Sequence, residues 1–211
     1  PEAWSLRWYR QMVGISSIGD TTVVTDKWML GTRNSFIVGI SATFLATALG
    51  TVAALGLSRP HMPFKGTIMA ILISPMIVPL IITAAGMFFF YSKVGLTHSY
   101  LGLILAHTAL GTPFVVITVT ATLTGFDTNL IRASQSLGAD TMRTFFKVIM
   151  PLILPGVISG ALFAFITSFD EVVVVMFVGS VEQITIPKQM WAGLRQETSP
   201  VILCMATCLV F

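Results

Sequence analysis

The chain contains 211 residues, of which 55% are hydrophobic and only 10% are charged. A soluble domain carries roughly a quarter charged residues, so this composition excludes an ordinary soluble globule, a disordered chain and a nucleic-acid-binding protein. The formal net charge of +3 is too small and too dispersed to build a phosphate-binding surface. The two cysteines provide neither a disulfide framework nor a metal site. The composition therefore indicates an integral membrane protein.

Four apolar segments are long enough to cross a bilayer, which requires about 20 residues. They run from about 34 to 57, 67 to 91, 100 to 123 and 152 to 178. All four are expected to be helices, because lipid cannot hydrogen-bond to open backbone groups. The sequence therefore predicts an all-α, polytopic membrane helix bundle that forms a single transmembrane domain over residues 1–211.

The two ends of the chain are expected to lie outside complete spans. The polar segment 1–33 is predicted to be extracytoplasmic, and a last apolar run from about residue 200 is too short to cross. We therefore expect the sequence to be part of a longer chain. Near the start, a short helix is expected to lie at the membrane interface or to contact an extracytoplasmic partner. Its residues are Trp4, Leu6, Arg7, Trp8, Tyr9, Arg10 and Met12.

The second apolar segment contains two prolines, Pro75 and Pro79. Each proline lacks a backbone donor and disturbs a helix. The segment is therefore expected to be either bent or broken, and a broken helix is a structure that can line a substrate path.

The segment 124–150 is long for a connection between helices. It predicts a short helix over Ile131–Leu137, which Gly138 ends in the left-handed conformation. Asp140 is expected to cap a second helix, and Pro151 is expected to interrupt that helix as the chain enters the membrane. The second helix carries an apolar stripe of Met142, Phe145, Phe146 and Ile149. Such a stripe needs a partner surface, either the protein's own helices or another subunit.

Basic residues indicate which side of the membrane this segment occupies. The two loops on its side contain five of them, whereas the two loops on the other side contain three. The positive-inside rule then places residues 124–150 in the cytoplasm, although segment 1–33 adds four more basic residues to the opposite side. The five are Arg59, Lys65, Arg132, Arg143 and Lys147.

The residues of this segment resemble the coupling, or EAA, loop of ABC importer permeases. The family pattern is Glu-Ala-Ala, three residues, Gly, nine residues, then Ile-x-Leu-Pro. Ala133, Gly138 and Pro151 match that pattern. Ser134 replaces the second alanine, and Arg132 stands where glutamate is usual.

Further segments resemble the spermidine/putrescine permease subfamily, in particular its second permease subunit. They are 74–79, 111–116, 125–127, 168–173 and 190–195. The resemblance implies a bacterial inner-membrane subunit of six helices with the type I ABC importer permease fold. It implies a heterodimer with a sister permease, two cytoplasmic ATP-binding subunits and a periplasmic solute-binding protein.

The resemblance also implies that the loop couples transport to the ATPase. The coupling residues carried over are Arg132, Ala133, Ser134, Leu137, Gly138, Ala139, Asp140 and Pro151. The chain has no Gly-x-x-x-x-Gly-Lys-Ser/Thr phosphate loop and is not expected to hydrolyse ATP by itself. It is expected to be no enzyme and to hold no cofactor or metal, while the partner ATPase binds ATP and magnesium.

Asp170 and Glu171 are the only carboxylates in a predicted span. Counted from Leu152 they lie about 27 Å along the helix, near its outer end. Neighbouring residues point about 100° apart, so one carboxylate is expected to face the translocation path and the other a neighbouring helix. Together with Phe169 and Pro79 they form the candidate substrate path. A structural ion pair with the sister subunit, or a gate contact, is the alternative.

A carboxylate at this depth attracts an ammonium group, which favours an amine-bearing solute such as putrescine, spermidine or a related amino compound. Leu80 stands where polyamine permeases often place an acid, so a solute with a single amine remains open. Two other classes also remain. One is an ion-coupled secondary transporter, and the other is a membrane-embedded enzyme that uses His107, Asp170 and Glu171.

Overall fold

In a computed structural model the described residues are 7–13, 22–59, 61–196 and 200–210, and all regular secondary structure within these ranges is helical. The helices are α1 (Arg7–Val13), α2 (Thr22–Leu57), α3 (Lys65–Ile77), α4 (Leu80–Val94), α5 (Tyr100–Thr124), α6 (Asn129–Ser136), α7 (Thr141–Thr144), a π turn (Phe145–Ile149), α8 (Met150–Phe169), α9 (Val173–Val178), α10 (Ile186–Gln196) and α11 (Pro200–Val210).

Three segments are long and apolar enough to cross a membrane by themselves: Lys27–Leu57, Tyr100–Thr124 and Thr141–Phe169. The bent pair α3 and α4 counts as a fourth if it is one span. The predicted all-α membrane helix bundle is therefore confirmed.

The centre of the bundle is formed by α2, α5 and α8, which pack directly on one another. Small residues allow this close approach. A Cβ atom at Gly160 of α8 would lie only 2.8 Å from the Cα atom of Val115 in α5, and one at Gly111 would lie 3.0 Å from the Cβ atom of Ala164. Since these contacts involve backbone and short side chains, the three helices have no room to accept larger residues here.

The first span begins earlier than predicted, because α2 starts at Thr22 rather than near residue 34. The polar side chain of Asn34, near the predicted start of the span, is fully buried. Its amide donates to the carbonyl oxygens of Glu182 and Ile184, both at 2.8 Å. Because a partner inside the protein satisfies this amide, the helix does not need to end there. Residues 22–33 are therefore helical and not part of a separate polar segment.

The second apolar segment is broken rather than gently bent. Helices α3 and α4 meet at an angle of 104°. Val78, which precedes Pro79, has an extended backbone with ψ 136°, as the ring of a following proline favours. Pro79 has no N–H to continue the helical ladder, so α4 starts anew at Leu80.

The prediction of one continuous helix from 152 to 178 is wrong. Helix α8 ends at Phe169, and the short helix α9 begins at Val173. Glu171 explains the interruption, since its Oε1 atom accepts a hydrogen bond of 2.9 Å from the backbone N–H of Val174. A side chain that bonds to the backbone in this way caps a new helix and competes with continuation of the old one.

The predicted N-terminal helix forms at Arg7–Val13 and packs against α11 and α2. Trp8 and Met12 pack against a cluster that includes Trp28, Val201 and Met205. This side of the helix is therefore covered by the protein itself. Trp4 and Leu6, which were part of the same prediction, lie outside the described residues.

Candidate functional site

The segment after α5 forms two short helices joined at a glycine, which we call the elbow (residues 129–150). Helix α6 runs from Asn129 to Ser136, two residues earlier at its start than predicted. Gly138 has φ +80°, a left-handed backbone that favours glycine. The N–H of Gly138 donates to Gln135 O, and the N–H of Ala139 donates to Ser134 O. These bonds close the end of α6 as a left-handed cap does.

The second arm of the elbow begins at Asp140, as predicted. Its Oδ1 atom accepts a 2.7 Å hydrogen bond from the backbone N–H of Arg143 and caps α7. Ser134 in α6 lies 2.9 Å, oxygen to oxygen, from Thr144 at the end of α7. Thr144 is almost fully buried, so this hydroxyl pair ties the two arms together inside the elbow. Sequence reasoning missed Thr144, although a polar residue inside an apolar stripe was a visible signal.

The prediction that Pro151 interrupts the helix is wrong. Residues 141–169 form one continuous helical rod in which the turn Phe145–Ile149 is a π turn. In this wider turn the N–H of Met150 donates to Phe145 O, five residues back. Pro151 lies in the first turn of α8, directly after the π turn, and the first turn of a helix is where proline is tolerated. The second arm of the elbow is thereby the direct start of a membrane-spanning helix.

The π turn also divides the predicted apolar stripe. Phe145 and Ile149 line a cavity of about 370 Å³ beneath the elbow, which Leu55 and Leu123 also line. Met142 and Phe146 instead face outward. The stripe was predicted to be one surface, but the extra residue in the π turn rotates part of it away.

The exposed surface of the elbow includes several of the predicted coupling residues. Arg132 and Ala133 are exposed, and Leu137 at the junction of the two arms is 88% exposed. Ala139 is half-buried beside Gly138. The structure therefore gathers residues 132–140 into one projecting unit, while Pro151 lies in the rod behind it.

The structure separates the two carboxylates of the candidate substrate path. Asp170 is exposed, and its carboxylate makes no hydrogen bond or ion pair within the described parts of the chain. Glu171 is buried, with 7% of its surface exposed, and caps α9 as described above. Of these two carboxylates, Asp170 is the one that a ligand can reach.

The other two residues of the candidate path have different surroundings. The ring of Phe169 packs edge-on against Phe36, with centroids 5.5 Å apart, and also contacts Phe165. Pro79 is exposed at the break between α3 and α4. Phe169 is therefore mainly a packing residue next to Asp170, and Pro79 belongs to a different break in the bundle.

A network of polar contacts at the end of the bundle opposite the elbow was not predicted. We call it the latch and define it by the side chains of Asn34, Tyr100 and Lys188. Tyr100 donates to Asn34 Oδ1 at 2.9 Å, and Asn34 in turn holds the backbone of the loop before α10. Lys188 of α10 donates to the carbonyl oxygens of Val175 and Ser180, both at 3.2 Å. Burial lowers the pKa of the Lys188 ammonium. The latch fixes the loop that follows Asp170 and Glu171 onto α2 and α5.

His107 is an interior histidine that packs against α8. Its Nδ1 atom lies 2.8 Å from Ser168 Oγ, and the residue is 1% exposed. Within the described ranges, no three His, Cys, Asp or Glu side chains come together in a way that would hold a metal ion.

Comparison with known proteins places this geometry in context. Residues 46–211 match the family described as the inner membrane component of binding-protein-dependent transport systems. The chain is 28% identical over 209 residues to the spermidine/putrescine transport system permease protein PotC of Haemophilus influenzae, covering 99% of this chain and 77% of that protein. It is 26% identical to PotC of Escherichia coli K12, covering 99% of this chain and 75% of that protein. It is 28% identical over 217 residues to the putrescine transport system permease protein PotI of the same strain, covering 98% of this chain and 73% of that protein.

Proposed function

The chain belongs to the family of inner-membrane components of binding-protein-dependent transport systems, and from this premise we propose how it works. It is the permease subunit of an ATP-driven importer for an amine-bearing solute, and it is coupled to a partner ATPase through the elbow. A sister permease completes the translocation path, a periplasmic binding protein delivers the solute, and the partner ATPase binds ATP and magnesium. The chain catalyses no reaction itself.

The observation that carries this proposal is the continuity between the elbow and a membrane-spanning helix. Helix α7, the π turn and α8 form one rod of 29 residues, which is about 43 Å at 1.5 Å per residue. Its inner end is the elbow, and its outer end is the break that holds Asp170. A displacement of the elbow is therefore transmitted to the other end of the bundle by a single element.

ATP acts on this rod by shifting the populations of two conformational states of the permease, which differ in the position of the elbow. Closure of the ATPase pair favours one position of the elbow, and release of phosphate favours the other. The Ser134–Thr144 contact keeps the two arms of the elbow in fixed relation. The motion is therefore not lost within the elbow. It passes directly into α8, and through the short segment 125–128, which joins α6 to α5, it also passes into α5.

Asp170 supports an amine-bearing solute, because an exposed carboxylate without an internal partner binds an ammonium group by a charge-assisted hydrogen bond. The names of the relatives, which are permeases of spermidine/putrescine and putrescine systems, agree with this chemistry. Leu80, however, packs against the core cluster of α4, α5 and α9 and offers no second acid near Pro79. The solute class is therefore a polyamine or a related amino compound.

The two neighbouring carboxylates are expected to respond differently to substitution. Asp170→Asn is expected to reduce uptake of an amine solute at least about 10-fold, which corresponds to the loss of one charge-assisted hydrogen bond, without a change in thermal stability. Glu171→Ala is expected to destabilise the subunit by about 1 kcal/mol, because α9 loses its cap, and Glu171→Gln is expected to retain most of that stability. Uptake and melting temperature are measured for all three variants. Normal uptake by the Asp170→Asn variant would remove Asp170 from the path.

The proposed function is tested by uptake into vesicles that contain the intact purified complex. Labelled putrescine and the periplasmic binding protein are supplied outside, and ATP or ADP is enclosed on the elbow side. We expect uptake with ATP only, with no effect of an ionophore that abolishes ion gradients. Uptake with ADP that an ionophore abolishes would instead identify an ion-coupled transporter. ATP-driven uptake of another solute in place of putrescine would keep the permease and correct the solute.

A further inference from the structure

The elbow presents an outward surface that is both cationic and apolar. We define the elbow face by its exposed residues Arg132, Leu137, Met142, Arg143, Phe146 and Lys147. Leu137 is 88% exposed, Met142 65% and Phe146 59%. None of the three cationic side chains makes a hydrogen bond or ion pair with any residue that the structure describes.

The two carboxylates of the same region do not balance these cations. Asp127 accepts a 2.9 Å hydrogen bond from the backbone N–H of Asn129, and Asp140 accepts one of 2.7 Å from that of Arg143. Both acids therefore lie just before the start of a helix, where the partial positive charge of the helix terminus offsets part of their charge. The charge that the elbow face offers to a partner is positive.

A partner that covers the apolar side chains of this face must also remove water from its cations. Taking an ionised group out of water costs several kcal/mol unless an opposite charge replaces the water. Leu137 lies at the junction of the two arms, five residues after Arg132 and six before Arg143 in the sequence. We therefore expect a partner that buries Leu137 to approach both arginines. The partner surface must therefore carry carboxylates around an apolar depression.

We propose that the ATPase partner receives the elbow in an acidic groove, in which carboxylates pair with Arg132 and Arg143 around an apolar site for Leu137. This inference rests on the proposed coupling function. It adds the chemistry of the partner surface and makes Arg132 a specificity-determining residue. A groove suited to a glutamate at this position would leave the charge of Arg132 unpaired or place a like charge against it. An ATPase with such a groove is therefore rejected.

A protein fits this face better than a bilayer surface does. Helix α6 has the sequence Asn-Leu-Ile-Arg-Ala-Ser-Gln-Ser, of which Ile131 lines the cavity beneath the elbow. This leaves Leu130 as its only large apolar side chain exposed to the outside. A helix that lies in a membrane interface needs a continuous apolar face, and α6 does not offer one.

The test measures the affinity of the cognate ATPase for the intact permease complex in nanodiscs of neutral lipid at low and high salt. Arg132→Glu and Arg143→Glu are each expected to weaken binding at least about 10-fold at low salt. The double variant places like charges against the groove, so its binding is expected no longer to weaken as the salt concentration rises. Arg132→Lys retains the charge and is expected to stay within a few-fold of wild type. Lys93→Glu is the matched control, because Lys93 is also exposed and lies at the opposite end of the bundle.

The possible outcomes separate this inference from the proposed function. Binding that is equally tight for the wild type and the Arg132→Glu/Arg143→Glu variant overturns the acidic groove and leaves the permease intact. Absence of ATPase binding by the wild type at any salt concentration overturns the proposed function and the groove with it. A dye attached at Leu137→Cys that lipid-borne quenchers reach, with or without the ATPase, places the elbow face on the membrane and also overturns the groove.

Discussion

Replacement of Gly138 by proline is expected to abolish coupled uptake while the membrane helices remain folded. Gly138 has φ +80°, whereas the proline ring fixes φ near −65°. The substitution also removes the N–H that donates to Gln135 O. The junction of the two arms is thereby lost, although a Cβ atom at this position would meet no atom within 4 Å. The effect is therefore one of backbone conformation and not of steric crowding.

The matched control at this position is Gly138→Asn, because asparagine adopts the left-handed conformation more easily than other side chains do. The expected order of uptake is wild type, then Asn, then Pro, with the proline variant at background. ATP hydrolysis and the melting temperature are measured on the same vesicles. A proline variant that transports like wild type would show that the elbow does not need its fixed shape.

Replacement of Gly160 by leucine is expected to prevent assembly of a stable bundle. A Cβ atom at Gly160 would lie 2.8 Å from the Cα atom of Val115, which is backbone and cannot turn aside. Helices α5 and α8 must then separate, and the shared packing with α2 is lost. Overpacking costs about 1–3 kcal/mol even when side chains yield, so a cost at or above the upper end is expected, with a fall in melting temperature of at least about 6 °C.

Gly86→Leu is the control for this substitution. Gly86 also lies in an apolar helix, α4, but a Cβ atom there would meet no atom within 4 Å. We expect the yield and the melting temperature of this variant to stay near those of wild type. Equal behaviour of the Gly160 and Gly86 variants would contradict the close approach of α5 and α8.

The features that the sequence predicts well are those whose signals are local. The elbow is one of them, because Gly138 and the capping residue Asp140 each determine the backbone within a few residues. The ends of α5 are another. The apolar run 100–123 has no proline or charge near either end, and it nearly coincides with the observed helix Tyr100–Thr124.

The features that the sequence does not predict depend on distant partners. The amide of Asn34, at the predicted start of the first span, is bound by carbonyl oxygens 148 and 150 residues away, which the sequence alone does not reveal. Glu171 appears as a charge inside a helix until its bond to Val174 shows that the helix has ended. The two prolines predict a disturbance between α3 and α4, but packing against the neighbouring helices decides between a bend and a break of 104°.

The central claim is that the elbow contacts the ATPase, and cross-linking tests it most directly. Leu137→Cys and Val181→Cys are compared in a Cys208→Ser background, because Leu137 is 88% and Val181 76% exposed at opposite ends of the bundle, while Cys208 is exposed and Cys204 is buried. With a short bifunctional reagent, the account predicts a covalent product with the ATPase from position 137 and none from position 181. A product with the ATPase from position 181 alone, or labelling of position 137 only from the periplasmic side, would contradict it.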